Sequence, residues 1–115
     1  MKTGDLPQRK CLPCEGIGQP LTEEQAKDYL RNTPKWQIKD NVIYREFVMK
    51  DFLAAVSLVN KVARVAEEEN HHPDIHLTGY RKLRIELSTH AVKGLTENDF
   101  ILAAKINELP ADLKS

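Results

Sequence analysis

The side chains best suited to proton chemistry in this chain of 115 residues are its four histidines, and three of them, His71, His72 and His76, fall within one short stretch. The fourth, His90, closes the run Ser88-Thr89-His90. An imidazole titrates near pH 6.5, about where a group can give or take a proton at neutral pH. His71 and His72 also follow the end of a long helical pattern, where the carbonyl end of a helix favours imidazolium. Pro73 keeps the chain after the pair out of helix. Adjacent residues in extended chain point opposite ways, so His71 and His72 are expected to have different roles. Neutral imidazole is equally a zinc ligand, and a histidine after a helix is often only a charge complement. On chemistry alone, an acid–base pocket, a metal site and a structural helix terminus all stay open.

The elements that must place these groups are legible from periodicity. Thr22-Glu23-Glu24-Gln25 has the form of a capping box, opening a helix to about Arg31 with Ala26, Tyr29 and Leu30 inward. Trp36 to Lys39, the turn Asp40-Asn41, and Val42 to Val48 predict a β-hairpin with Ile43 and Phe47 on one face. Lys50 to Glu69 is the strongest helix, with Asp51 as N-cap. Its expected inward stripe is Phe52, Ala55, Val56, Val59, Val62, Ala63 and Ala66. Leu53 and Leu58 lie off that stripe and hint at oligomerisation through this helix. Asp74 to Thr78 reads as extended and Gly79 as a turn. Tyr80 to Thr89 reads as a strand with Leu83, Ile85 and Leu87 inward, which carries His90 back beside the double histidine. Thr96 caps the last helix with Asp99 at its third position, and Pro110 limits it. The order α-ββ-α-ββ-α predicts an α+β fold, a four-stranded antiparallel sheet with helices packed on one face.

The remainder bounds the function. Residues 1–20 read as an irregular N-terminal arm, 21–110 as one domain and 111–115 as a tail. The arm carries Cys11-Leu12-Pro13-Cys14, which could be half a zinc site or a turn with two reduced thiols. The formal charge is zero, so no whole-molecule field draws in nucleic acid or an anionic membrane. No apolar run approaches the roughly 20 residues of a membrane span, and no signal-peptide pattern opens the chain, so a cytoplasmic location is expected.

From about Thr22 to Leu109 the residues resemble the pterin-4a-carbinolamine dehydratase family, also called the dimerisation cofactor family. The marks are Asn70-His71-His72-Pro73-Asp74, Leu87-Ser88-Thr89-His90 and Gly94-Leu95-Thr96-Glu97-Asn98-Asp99-Phe100. Trp36 and Lys50-Asp51-Phe52 also fit. The Cys-Leu-Pro-Cys-Glu arm is similar to that of longer bacterial members. The resemblance implies a dehydratase without metal or other cofactor. It would convert 4a-hydroxytetrahydropterin to quinonoid dihydropterin and water, the recycling step after aromatic amino acid hydroxylation. The family's catalytic groups map onto His71, His72, His90 and Asp99. The implied roles are His72 and His90 as the acid–base groups near C4a, His71 as a positioning group, and Asp99 holding a histidine in one tautomer. Asn70, Pro73, Ser88 and Thr89 would line the pterin together with the histidines, while His76 matches no family position. A homodimer or homotetramer is implied, and an aromatic amino acid hydroxylase pathway is a possible source of substrate. Arg81 stands where members often carry asparagine, and Lys93 lies in a loop often richer in glycine. The alternatives are an interaction protein working through its oligomerisation helix, as animal members do, and a small zinc module using Cys11 and Cys14.

Overall fold

The computed structural model describes residues 6–8, 11 and 19–114. After the first described residues come α1 (Glu23–Leu30), β1 (Gln37–Lys39), β2 (Val42–Val48), α2 (Phe52–Glu69), β3 (Asp74–Thr78), β4 (Lys82–Leu87) and α3 (Glu97–Asn107). All pairings are antiparallel and the sheet order is β1-β2-β4-β3. This is the α+β arrangement the hydrophobic pattern predicts.

Local chemistry accounts for the boundaries. In α1 the Thr22 hydroxyl accepts from the Gln25 amide and the Gln25 side chain accepts from the Thr22 amide, the predicted capping box. Asp40 and Asn41 both take positive φ, 52° and 64°, and close the first hairpin as a two-residue turn. Asn and Asp tolerate that left-handed region, whose twist matches the strands it joins. The second hairpin departs from the sequence reading by two residues. Gly79 and Tyr80 have φ of 53° and 56°, so Tyr80 belongs to the turn and the strand starts at Lys82. Arg81 holds this turn to the β2–α2 junction by donating to the carbonyls of Met49 and Lys50. Lys93, too, is left-handed, with φ 54°, where a glycine would sit without strain.

The core lies between one sheet face and the helices. Ile43, Phe47, Leu83, Ile85 and Leu87 are buried on that face, and α3 is buried along almost its whole length. Asn107 ties the first hairpin to the end of α3, since its Oδ1 accepts from Trp36 Nε1 at 2.9 Å and from the Arg45 guanidinium at 2.6 Å. Burial there pushes the Arg45 pKa down. Two expectations need correction. In α2 the buried row is Ala55, Leu58, Val62 and Ala66, whereas Phe52 and Leu53 are exposed and Ala63 faces solvent. The inward face is rotated by roughly 55° from the expected stripe at 100° per residue, keeping Ala55, Val62 and Ala66 and adding Leu58. The helix carries two apolar rows, and periodicity sets the spacing within a row without choosing between rows. Leu58 is therefore core, and only Leu53 of the two off-stripe leucines is exposed. The second correction concerns the arm. Leu6–Gln8 forms a turn of 3-10 helix, and Leu6 is fully buried in the core. Among the described residues no helix is long and apolar enough to cross a membrane.

Candidate functional site

The end of α2 decides where both adjacent histidines point. Asn70 adopts the left-handed conformation, φ 50° and ψ 42°, directly after the helix. The amide of His71 then donates back to the Ala66 carbonyl at 3.1 Å, and the amide of Asn70 to Glu67 at 3.3 Å. These two bonds form a Schellman closure with asparagine in the usual glycine position. The chain reverses sharply, so one histidine turns into the protein and the next lies back along the last helical turn.

His71 is the inward one, only 6% exposed, and its Nε2 lies 2.7 Å from Asp99 Oδ1. Against a carboxylate this nitrogen is the donor, which leaves Nδ1 as the ring's acceptor. Asp99 is itself wholly buried and accepts from three groups. Its Oδ2 takes the Thr89 hydroxyl at 2.9 Å and the Thr96 amide at 2.9 Å. Because the single hydroxyl proton of Thr89 is committed to Asp99, the 2.8 Å contact between the Thr89 and Thr96 hydroxyls runs from Thr96 to Thr89. Each buried polar group thus has a partner, the condition under which such a network stabilises rather than costs. Asp99 does two jobs with two oxygens. One caps α3, as the Thr96–Asp99 spacing predicts, and the other orients His71.

His72 points outward, with its side chain 56% exposed, and its Nε2 lies 2.5 Å from Glu67 Oε2. Glu67 is absent from the residues singled out by sequence. Its signal was the acidic run Glu67-Glu68-Glu69, but only the chain reversal at Asn70 brings one of these carboxylates to His72. Thr96 is likewise more than a cap, because its hydroxyl supports Thr89. His90 opens a short turn of 3-10 helix, His90–Val92, and is exposed. Its neighbour Thr89 is part of the buried network and pairs with Gly94 across the loop. The segments bearing the two histidine sites are therefore joined through His71, Asp99 and Thr89. Of the remaining residues, Ser88 and Pro73 are half-buried, and Asn70 serves the helix end through its backbone. His76 stands apart on the outer sheet face, 3.4 Å from Glu86. Cys11 is half-buried beside Asn98 and Glu69, and Cys14 lies outside the described residues. Among the described residues no three His, Cys, Asp or Glu side chains are grouped to hold a metal ion.

Comparison with known proteins is extensive. The family model described as pterin 4 alpha carbinolamine dehydratase matches residues 19–109. A putative pterin-4-alpha-carbinolamine dehydratase of Nitrosomonas eutropha is 47% identical over 106 residues, covering 91% of this chain and 93% of the relative. One from Halorhodospira halophila is 44% identical over 108 residues, covering 92% and 98%. Among solved structures, a transcriptional coactivator/pterin dehydratase from Brucella melitensis superposes with a TM-score of 0.72 at 35% identity, covering 77% of this chain and 96% of that one.

Proposed function

Since the chain belongs to the pterin-4a-carbinolamine dehydratase family, we propose that it dehydrates 4a-hydroxytetrahydropterin to quinonoid dihydropterin by histidine acid–base catalysis. The C4a–O bond breaks, the hydroxyl leaves as water with one added proton, and the ring loses its N5 proton, so the step is redox-neutral. It needs one acid and one base, both within hydrogen-bond reach of the substrate. His72 and His90 are the groups exposed enough to reach a bound pterin. Glu67 orients His72 through the contact at its Nε2.

His71 acts differently. It is held by Asp99 in one tautomer and offers a single acceptor nitrogen, which suits recognition of a donor on the heterocycle and orientation of the ring. Asn70, Pro73 and Ser88, next to these histidines in the chain, would contact the pterin edge in this reading.

The observation that supports this reading is the buried His71–Asp99–Thr89 network, because it links the segment of His71 and His72 to the residue before His90. Its test is the decay of 4a-hydroxytetrahydropterin absorbance in the presence of purified protein. The wild-type chain accelerates the decay, and His90→Ala removes most of the acceleration, on the order of 100-fold. Undiminished turnover by His90→Ala would sink the assignment.

A further inference from the structure

The N-terminal arm is pinned to both segments that carry the His71–Asp99 pair. Leu6 is fully buried in the core. Next to it, Lys105 of α3 donates to the Pro7 carbonyl at 2.8 Å. Further along, the Cys11 amide donates to Glu69 Oε1 at 2.8 Å, and the Cys11 thiol approaches the Asn98 carbonyl at 3.7 Å. The Glu69 side chain is 6% exposed, and the second oxygen of its carboxylate lies 3.9 Å from Lys105 Nζ. The other end of the arm is fastened as well. The Leu21 amide donates to the Leu95 carbonyl at 2.7 Å. Pro20 lies so close to Gly94 that a Cβ there would come within 2.9 Å of the proline ring.

These anchor points have a pattern. Glu69 is the last residue of α2, separated from His71 only by the left-handed Asn70. Asn98 directly precedes Asp99, and Leu95 directly precedes Thr96. A carboxylate almost wholly withdrawn from water requires firm partners, and those of Glu69 are an arm amide and a lysine that also holds the arm.

We propose that Glu69 is a positioning residue for the reaction, acting through the N-terminal arm as a strap that holds the α2 terminus against α3 and so keeps His71 on Asp99. The inference rests on the dehydratase reading for its kinetic part only. The rest is a statement about the geometry of His71. A reacting group displaced by about 1 Å costs roughly 100-fold in rate, so a partial loosening is expected to cost less than that.

The experiment compares Glu69→Ala, Glu69→Gln and Cys11→Ser in the full chain. Dehydration kinetics is one readout, and solvent exchange of the His71 Nε2 proton by NMR is the other. Glu69→Ala is expected to lower kcat about tenfold with KM changed by less than about twofold, and to speed exchange of the His71 proton about tenfold. Glu69→Gln keeps an acceptor for the Cys11 amide, so it is expected to stay within about threefold of wild type in both readouts. Cys11→Ser keeps the amide and is expected to match wild type, which separates the strap from any thiol chemistry. Wild-type kcat and wild-type exchange in Glu69→Ala overturn the proposal, and so does an equal loss in Glu69→Gln. Should Glu69→Ala fail to fold, Lys105→Met decides, since it removes the Pro7 contact and the lysine beside Glu69: faster exchange at His71 upholds the strap and wild-type exchange overturns it. If the wild-type chain does not dehydrate the pterin while Glu69→Ala still loosens His71, the functional reading fails and the strap stands.

Discussion

His71 and His72 are neighbours in the chain, and each has a carboxylate at hydrogen-bond distance, yet their surroundings are opposite. The His71–Asp99 pair is 6% and 0% exposed, whereas the His72–Glu67 pair is 56% and 76% exposed. In the buried pair the carboxylate is fixed by three donors, and little water competes for it. In the exposed pair both side chains are free to exchange their contact for solvent, and such pairs typically contribute only about 0–1 kcal/mol to stability. The same two functional groups therefore form a rigid, buried frame in one place and an adaptable, solvent-facing pair in the other. One left-handed residue, Asn70, makes the division.

Asp99→Asn is the most severe way to break this contrast. The amide oxygen must stay with the Thr89 hydroxyl and the Thr96 amide, so its NH2 faces His71 Nε2. That forces the imidazole into the other tautomer, with its proton on Nδ1. The expected fall in kcat is roughly 100-fold to 10,000-fold, judged from comparable carboxylate-to-amide changes. Because the cap survives, the stability loss measured by urea unfolding should be only about 1–3 kcal/mol. Turnover near wild type would mean that the buried pair is structural alone.

Glu67→Gln probes the exposed side. Its stability should change by less than about 1 kcal/mol. Its turnover should fall about tenfold, since the carboxylate contact that orients His72 is weakened. Full activity in this variant would remove Glu67 from the chemistry and leave His72 to act unaided.

The smallest effect belongs to the outer sheet face, where His76 and Arg84 both meet Glu86. The hydrogen bond from Arg84 holds the Glu86 carboxyl below the usual carboxylate range, with His76 adding to it. A depressed carboxylate contributes stability above its ordinary pKa and loses that contribution as pH falls through the lowered value. The urea midpoints of wild type and Glu86→Gln should therefore differ at about pH 6 and converge towards about pH 2, with no change in pterin turnover. A loss of turnover would bring His76 and Glu86 into the site after all.

Much of this could be read before any coordinates. Both capping boxes, the Asp40-Asn41 turn, and the inward Leu83, Ile85 and Leu87 follow from spacing of two or of 3.6 residues and from short-range hydrogen bonds. These are local effects, so local sequence carries them. Ala55, Val62 and Ala66 of the expected α2 stripe are inward, but Phe52 and Ala63 are exposed and Leu58 is core, because two rows of that helix are apolar and only the neighbouring α3 and the sheet choose between them. The arm was read as irregular because it has no period, although Leu6 is core.

For the site, the sequence by itself determined which groups are present: three imidazoles suited to proton transfer, and an acid placed to cap α3. The tertiary structure decided the pairing. Asp99 orients His71, Glu67 serves His72, and Glu69 receives the arm. Each carboxylate was free in the sequence to meet any of several cations or amides. The reversal at Asn70 and the docking of α3 leave one partner within reach of each, because side-chain hydrogen bonds act over only about 3 Å and depend on the fold to supply that proximity.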